Sequence, residues 1–340
     1  SLDDPKVFDM LSTGSTDGVF QFESGGMRSV IMQLRPERLE DLIAVISLYR
    51  PGPMDSIPRY IECRHHPEKV QFRHPLLRDI LDVTYGCIVY QEQVMQIFRS
   101  LAGYSLGRAD IVRRAMSKKK ADVMEKERQI FIYGLVNEDG TVEVDGCIRR
   151  GVDEETAKAI FGEMESFASY AFNKSHATAY ALLAYQTAWL KCYYPQEYMA
   201  ALLTSVLDMT NKLSAYIAEC IRLGIHVLPP HVNLSRNGFT VDGKDIRFGL
   251  LAIRNLGKGF ISGLLQERDQ GGPFTSFYNF CKRMYGKDLN RRALESLVKC
   301  GALDNLGYNR RQMLENVASV LESLEADKRR NVDGQLGFFD

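Results

Sequence analysis

The stretch Arg113-Arg114-Ala115-Met116-Ser117-Lys118-Lys119-Lys120 puts five cations into eight residues of a chain whose formal net charge is +0. On a helix, Arg114 and Lys118 stand at i,i+4 and repel each other by a few tenths of a kcal/mol. Asp110 is expected to answer only one of that pair. Adjacent guanidiniums suit a phosphate, which accepts forked hydrogen bonds. Residue types alone leave two readings open, a basic solvated face or a face built to meet a polyanion.

A second group sits in "FNKSHATAYALLAYQTAWLK". Asn173 or Ser175 is placed to cap the following helix, which gathers Lys174, the first free amides and His176 at the positive end of the helix dipole. Such an end favours an anion by about 1 kcal/mol. His176, Tyr180, Leu183 and Thr187 share one helix face, so a core-facing imidazole is equally open. Tyr170, Phe172 and Tyr180 flank the site and are of a type that stacks on a base or sugar, or fills a core.

A third is "GLLAIRNLGKGFISGLLQER", read as a short helix, a tight Gly257-Lys258-Gly259 hairpin and a second short helix. In a helix-hairpin-helix the two glycines let the backbone approach a DNA phosphate, which positions a protein without reading sequence. "LNRRALESLVKCGALDNLG" resembles a weaker second copy. The fourth is the tail "GQLGFF", whose Leu336, Phe338 and Phe339 are costly exposed apolar area unless a partner buries them. No carboxylate cluster or nucleophile constellation emerges, and the metal reading is none.

These groups must be held by a mainly helical scaffold. At 340 residues, two or more domains are expected. Forty-three Lys and Arg balance 43 Asp and Glu, which excludes a uniformly basic nucleic-acid binder. Seven scattered cysteines, an odd number and none at ligand spacing, read as reduced thiols of a cytosolic protein. No apolar run approaches membrane-span length and no signal peptide is evident. The spacing predicts helices from Asp4-capped "PKVFDMLS", through one ending before Pro36, one stopping at "RPGPM", two divided around Gly103 to Gly107, one capped by Asp153, and a long one running to Pro195. Residues 137–146 and "GFTVDGKDIRFG" predict small β-hairpins, and residues 309–332 an amphipathic helix.

Six long motifs resemble, in order and in approximate spacing, the C-family replicative DNA polymerases, the bacterial DNA polymerase III alpha subunits. They are "GVFQFESGGM", "LYRPGPM", "TYGCIVYQEQVMQI", "AGYSLGRADIVRRAM", "FASYAFNKSHATAYALLAYQTAWLK" and "HVLPPHVN". The resemblance implies a mainly α fold with small β-hairpins: multi-subdomain fingers over 1–208, a helix-hairpin-helix region binding duplex DNA over 209–308, the helix 309–332, and a tail, 333–340. It implies that Arg113 and Arg114 meet the triphosphate of an incoming deoxynucleotide with Lys118 and Lys119 beside them, and that Asn173, Lys174, Ser175 and His176 face the same site. Gly257, Lys258 and Gly259 would grip primer-template DNA, and Gln335, Leu336, Phe338 and Phe339 would dock on a sliding clamp, among other replisome subunits.

The implied activity is that of a DNA-directed DNA polymerase (a nucleotidyltransferase) in the bacterial cytoplasm, with no membrane partner. Two magnesium ions would be held by palm aspartates lying before Ser1, as would the thumb and a phosphoesterase-like domain, so the chain reads as an inactive piece of a longer enzyme. The rival is a non-catalytic DNA-binding or scaffold module. Departures from the family are Ser117 and Ala171, where glycine is usual, and the 137–146 insertion.

Overall fold

The computed structural model describes residues 2–117, 121–168 and 170–332. The chain divides into two units, Ser1–Cys192 and Tyr193–Asp340. Helices dominate both.

The first unit is built from α1 (Pro5–Ser12), α2 (Gly25–Leu34), α3 (Leu39–Leu48), α4 (Ile57–His65), the one-turn α5 (Arg78–Leu81), α6 (Gln91–Ala102), α7 (Leu106–Ser117), α8 (Ala121–Tyr133), α9 (Glu154–Ala168) and α10 (Lys174–Tyr193). Local chemistry sets the boundaries. Asp4 accepts from the Lys6 amide at 3.0 Å at the start of α1, and Asp153 accepts from Thr156 at 2.9 Å at the start of α9. Pro36 follows the end of α2, and Pro51 and Pro53 follow α3. Gly103 closes α6 at φ 76°, a backbone that favours glycine.

Two cores lie in this unit. In one, Phe98 of α6, Phe131 of α8 and Phe161 of α9 pack with ring centroids 5.3–6.2 Å apart. In the other, α1, α2 and α3 pack with the alanine stripe Ala177, Ala181, Ala184 and Ala188 of α10. That stripe decides between two readings the sequence left open. Tyr180 and Leu183 are 36% and 44% exposed and His176 is exposed, so the face carrying them is the outer one. The insertion forms the expected hairpin, β1 (Leu135–Val136) with β2 (Val142–Val144); Asp139 accepts from the Thr141 amide at 2.9 Å in the turn.

The second unit opens with α11 (Pro195–Ser205) and α12 (Thr210–Arg222). Its three-stranded sheet has the order β3 (Val227–Leu228), β5 (Asp245–Arg247), β4 (Thr240–Asp242). The β4–β5 hairpin is the expected one, whereas β3 pairs in parallel through Val227 opposite Ile246. Met199, Ala200 and Leu203 of α11 share a core with Phe239 and Ile246, so the stretch that the sequence grouped with residues 1–208 buries its apolar face in this unit. Four helices follow: α13 (Lys258–Gly271), α14 (Phe277–Met284), α15 (Arg291–Lys299) and α16 (Arg310–Val332), around Phe260, Leu264, Phe280, Leu297 and Met313. The short helix expected before Gly257 is a single 3₁₀ turn, Leu250–Ala252, and the helix after it runs 14 residues.

One buried amide organises the entry to α6. Gln93 (3% exposed) accepts from the Val89 and Tyr90 amides at 2.9 Å and donates to Ile80 O at 3.2 Å and Thr84 Oγ1 at 2.8 Å. Gln93→Ala strands two buried amides and should cost roughly 2–4 kcal/mol. Chemical denaturation, together with lost hydrogen-exchange protection at Val89 and Tyr90, measures it. Wild-type protection at those amides would refute the assignment.

Candidate functional site

The strand-like run into α6 holds the residues before α10. Tyr90 and Phe172 form a parallel bridge, with Gln91 N donating to Phe172 O at 2.9 Å and Phe172 N to Val89 O at 3.2 Å. The Gln91 side chain donates to Ala171 O at 3.1 Å. Ala171 has no positive φ, so its methyl group is accommodated at the position where the sequence resemblance led to the expectation of glycine.

Asn173 is the cap of α10, its Oδ1 accepting from the His176 amide at 2.9 Å; Ser175 lies exposed in the first turn. The anion at this helix end is supplied by the protein itself. Glu92, on α6, accepts from the Lys174 amide at 3.1 and 3.2 Å and from Asn173 Nδ2 at 3.1 Å. The Lys174 side chain turns to Glu40, 3.2 Å away, and its Nζ lies 5.2 Å from the centre of the Tyr90 ring. The free helix end expected from the sequence is therefore filled, and the signal for its occupant lay about eighty residues earlier in the chain.

On α7 the twin arginine shares one acid, Asp110, which the sequence reading expected to answer only one of Arg114 and Lys118. Asp110 Oδ1 accepts from Arg113 Nε at 3.2 Å and Nη2 at 2.7 Å, and Oδ2 lies 2.7 Å from Arg114 Nη2. Arg113 is largely covered (side chain 13% exposed), and Arg114 is open (68%). The Arg113 hydrogen bond, then the charges of both arginines, holds the Asp110 carboxyl below its ordinary range. Lys118 and Lys119 lie outside the described residues, as do Gln335, Leu336, Phe338 and Phe339. α7 packs on α6, which also carries Glu92, so one helix supports both cation groups.

A cavity of about 360 Å³ joins three of the sequence motifs: Gln21 and Ser24, Tyr49 and Arg50, and Phe172, His176 and Tyr180. His176 stacks on Tyr180 (4.6 Å, 29°) and meets Phe172 edge-on at 5.4 Å. Arg50, which sequence reasoning did not single out, lies 4.2 Å from the centre of the Phe172 ring and donates to Ser47 O at 2.9 Å and Tyr170 O at 2.8 Å. Burial pulls its pKa below the ordinary arginine value. Its signal was present: Arg50 precedes the proline that bars the continuation of α3. Gly52 beside it has φ 101°, and a Cβ there would sit 2.4 Å from the Tyr170 ring, so glycine is required twice over.

In the second unit Gly257 caps α13 without a side chain, and Gly257, Lys258 and Gly259 are all exposed. Asn255, at φ 65°, donates to Ser296 Oγ of α15 at 3.0 Å and ties the preceding loop down. Within the weaker second copy, α15 forms, with Asn290 Oδ1 accepting from the Ala293 amide at 3.0 Å, and residues 300–307 after it are turns and bends.

Among the described residues no three His, Cys, Asp or Glu side chains gather to hold a metal ion. No described helix is long and apolar enough to cross a membrane.

A helical module bearing paired cations and an aromatic cavity, followed by a helix-hairpin-helix unit, is the class these features define. Residues 1–139 match the family model of the bacterial DNA polymerase III alpha subunit finger domain, and residues 224–313 that of a helix-hairpin-helix motif. The DNA polymerase III alpha subunit of Thermus aquaticus is 49% identical over 343 residues, that of Chlamydia pneumoniae 44% over 338, and that of Pasteurella multocida 43% over 346. Each comparison covers 99% of this chain and 27%, 26% and 29% of the relative, respectively. The chain belongs to the bacterial DNA polymerase III alpha family and spans about a quarter of the length of these curated relatives.

The role of Glu92 is directly testable. Glu92→Ala removes a cap to the α10 amides and should destabilise the first unit by about 1 kcal/mol. Hydrogen exchange at the Lys174 amide should speed up with it; unchanged protection would remove Glu92 from the cap.

Proposed function

We propose that this chain is the finger and helix-hairpin-helix part of a template-directed DNA polymerase, a nucleotidyltransferase of the bacterial cytoplasm acting on deoxynucleoside triphosphates and primer-template DNA. The observation that carries the reading is the common mounting of α7, which bears Arg113 and Arg114, and of the Asn173–His176 turn on α6, with His176 lining a cavity walled by stacked aromatic rings.

Arg113 and Arg114, with Lys118 and Lys119 next in sequence, neutralise triphosphate charge. Lys174 and His176 face the same ligand, and Phe172 and Tyr180 offer rings for stacking against a base. Phosphoryl transfer is dominated by positioning and charge stabilisation, and that is the share of catalysis this chain supplies. Magnesium, when bound by residues outside this chain, would stabilise the attacking and leaving oxygens. In the second unit the exposed amides at Gly257, Lys258 and Gly259 meet DNA phosphates. Gln335, Leu336, Phe338 and Phe339 form a peptide anchor for a sliding clamp.

In the full-length polymerase, Arg113→Ala with Arg114→Ala should lower kcat/KM for the incoming nucleotide by about 100-fold or more, with primer-template affinity changed less than about twofold. Collapse of DNA affinity with intact nucleotide kinetics would favour the scaffold reading. Phe338→Ala with Phe339→Ala should weaken clamp binding by at least about 100-fold in a direct titration. An unchanged Kd would sink the anchor.

A further inference from the structure

Asp110 is placed to do more than neutralise its neighbours. It precedes the twin arginine by three and four residues, so one carboxylate reaches both guanidiniums across a single helix face. Each oxygen takes one arginine. That is the arrangement two arginines adopt around the non-bridging oxygens of a phosphate. The two pairs are unequal. Arg113 gives Asp110 two hydrogen bonds, through Nε and Nη2, and is 13% exposed, whereas Arg114 meets Oδ2 through Nη2 at 2.7 Å and is 68% exposed.

We propose that Asp110 is a positioning residue that holds the twin arginine in a phosphate-ready arrangement, keeps Arg113 throughout, and exchanges Arg114 with the triphosphate of the incoming nucleotide. This rests on reading Arg113 and Arg114 as triphosphate ligands. The exposed, solvent-screened Arg114 pair gives way readily, while the covered, doubly bonded Arg113 pair persists. Asp110 is thus both scaffold and competitor. Its charge restrains affinity for the polyanion, and by recapturing Arg114 it eases release of the pyrophosphate product.

The two functions separate in two variants of the full-length polymerase. Asp110→Asn keeps an acceptor for Arg113 but removes the competing charge. It should lower the nucleotide KM about 3- to 10-fold and the pyrophosphate inhibition constant by a similar factor. Asp110→Ala loses the hold on Arg113 and should raise KM about 10-fold. Opposite signs in the two variants are the expected result, since a merely structural aspartate would move KM upward in both. If Arg114→Ala raises KM but Asp110→Asn raises it too, or leaves it unchanged, the exchange role is overturned and the triphosphate reading stands. If Arg114→Ala leaves KM unchanged, both fail.

Discussion

The carboxylate of Glu92 at the amino-terminal end of α10 is the interaction on which the first unit depends. Its residue belongs to α6, whose apolar face is buried among the phenylalanines of one core, while α10 belongs to the other core through its alanine stripe. Three hydrogen bonds from Asn173 and Lys174 therefore join two separately packed halves at one point. The parallel bridge between Tyr90 and Phe172 and the fully bonded Gln93 amide brace the same junction. A helix end left without a partner would carry orphan amides, so this arrangement satisfies the backbone and fixes the turn that carries Lys174 and His176.

The same logic governs the cations. Three described cations of the candidate site lie beside a carboxylate: Arg113 and Arg114 share Asp110, and Lys174 meets Glu40, whereas Arg50 donates to backbone carbonyls. A chain of zero net charge can thus carry a dense basic stretch without large self-repulsion. On the proposed reading, binding proceeds by partner exchange, since a triphosphate offers more charge than any one of these side chains. The aromatic wall adds area that is indifferent to charge, with Arg50 lying over one of its rings.

Much of this was legible along the chain because it is local. Asp4, Asp153 and Asn173 announce helix starts by type and position, and Gly103 and the Pro51–Pro53 pair announce stops. What escaped was long-range or small. Glu92 acts on a segment far along the chain, and β3 is two residues paired in parallel with a strand beyond a loop. The face of α10 was ambiguous because alanine is only weakly apolar: Ala177, Ala181, Ala184 and Ala188 permit close approach, and the bulkier His176, Tyr180 and Leu183 lie outside. Asp110 was seen but given one partner, since spacing does not reveal that two arginines at i+3 and i+4 converge on its two oxygens.

The two units treat their helix ends differently, and the difference separates architecture from binding. At α10 a phosphate would have to displace a carboxylate held by an amide and an asparagine side chain. At α7 it need take only an exposed guanidinium from a shared aspartate. On the proposed reading, anion binding in the first unit falls on side chains, and the backbone dipole of α10 is spent on holding the turn in place. At α13 the cap is a glycine, and residues Gly257–Gly259 are exposed with no side chain in the capping position. A backbone end suits a ligand that is the same at every step along a duplex, because it grips phosphate without regard to sequence. Swinging arginines suit a ligand that must arrive, react and leave in each cycle.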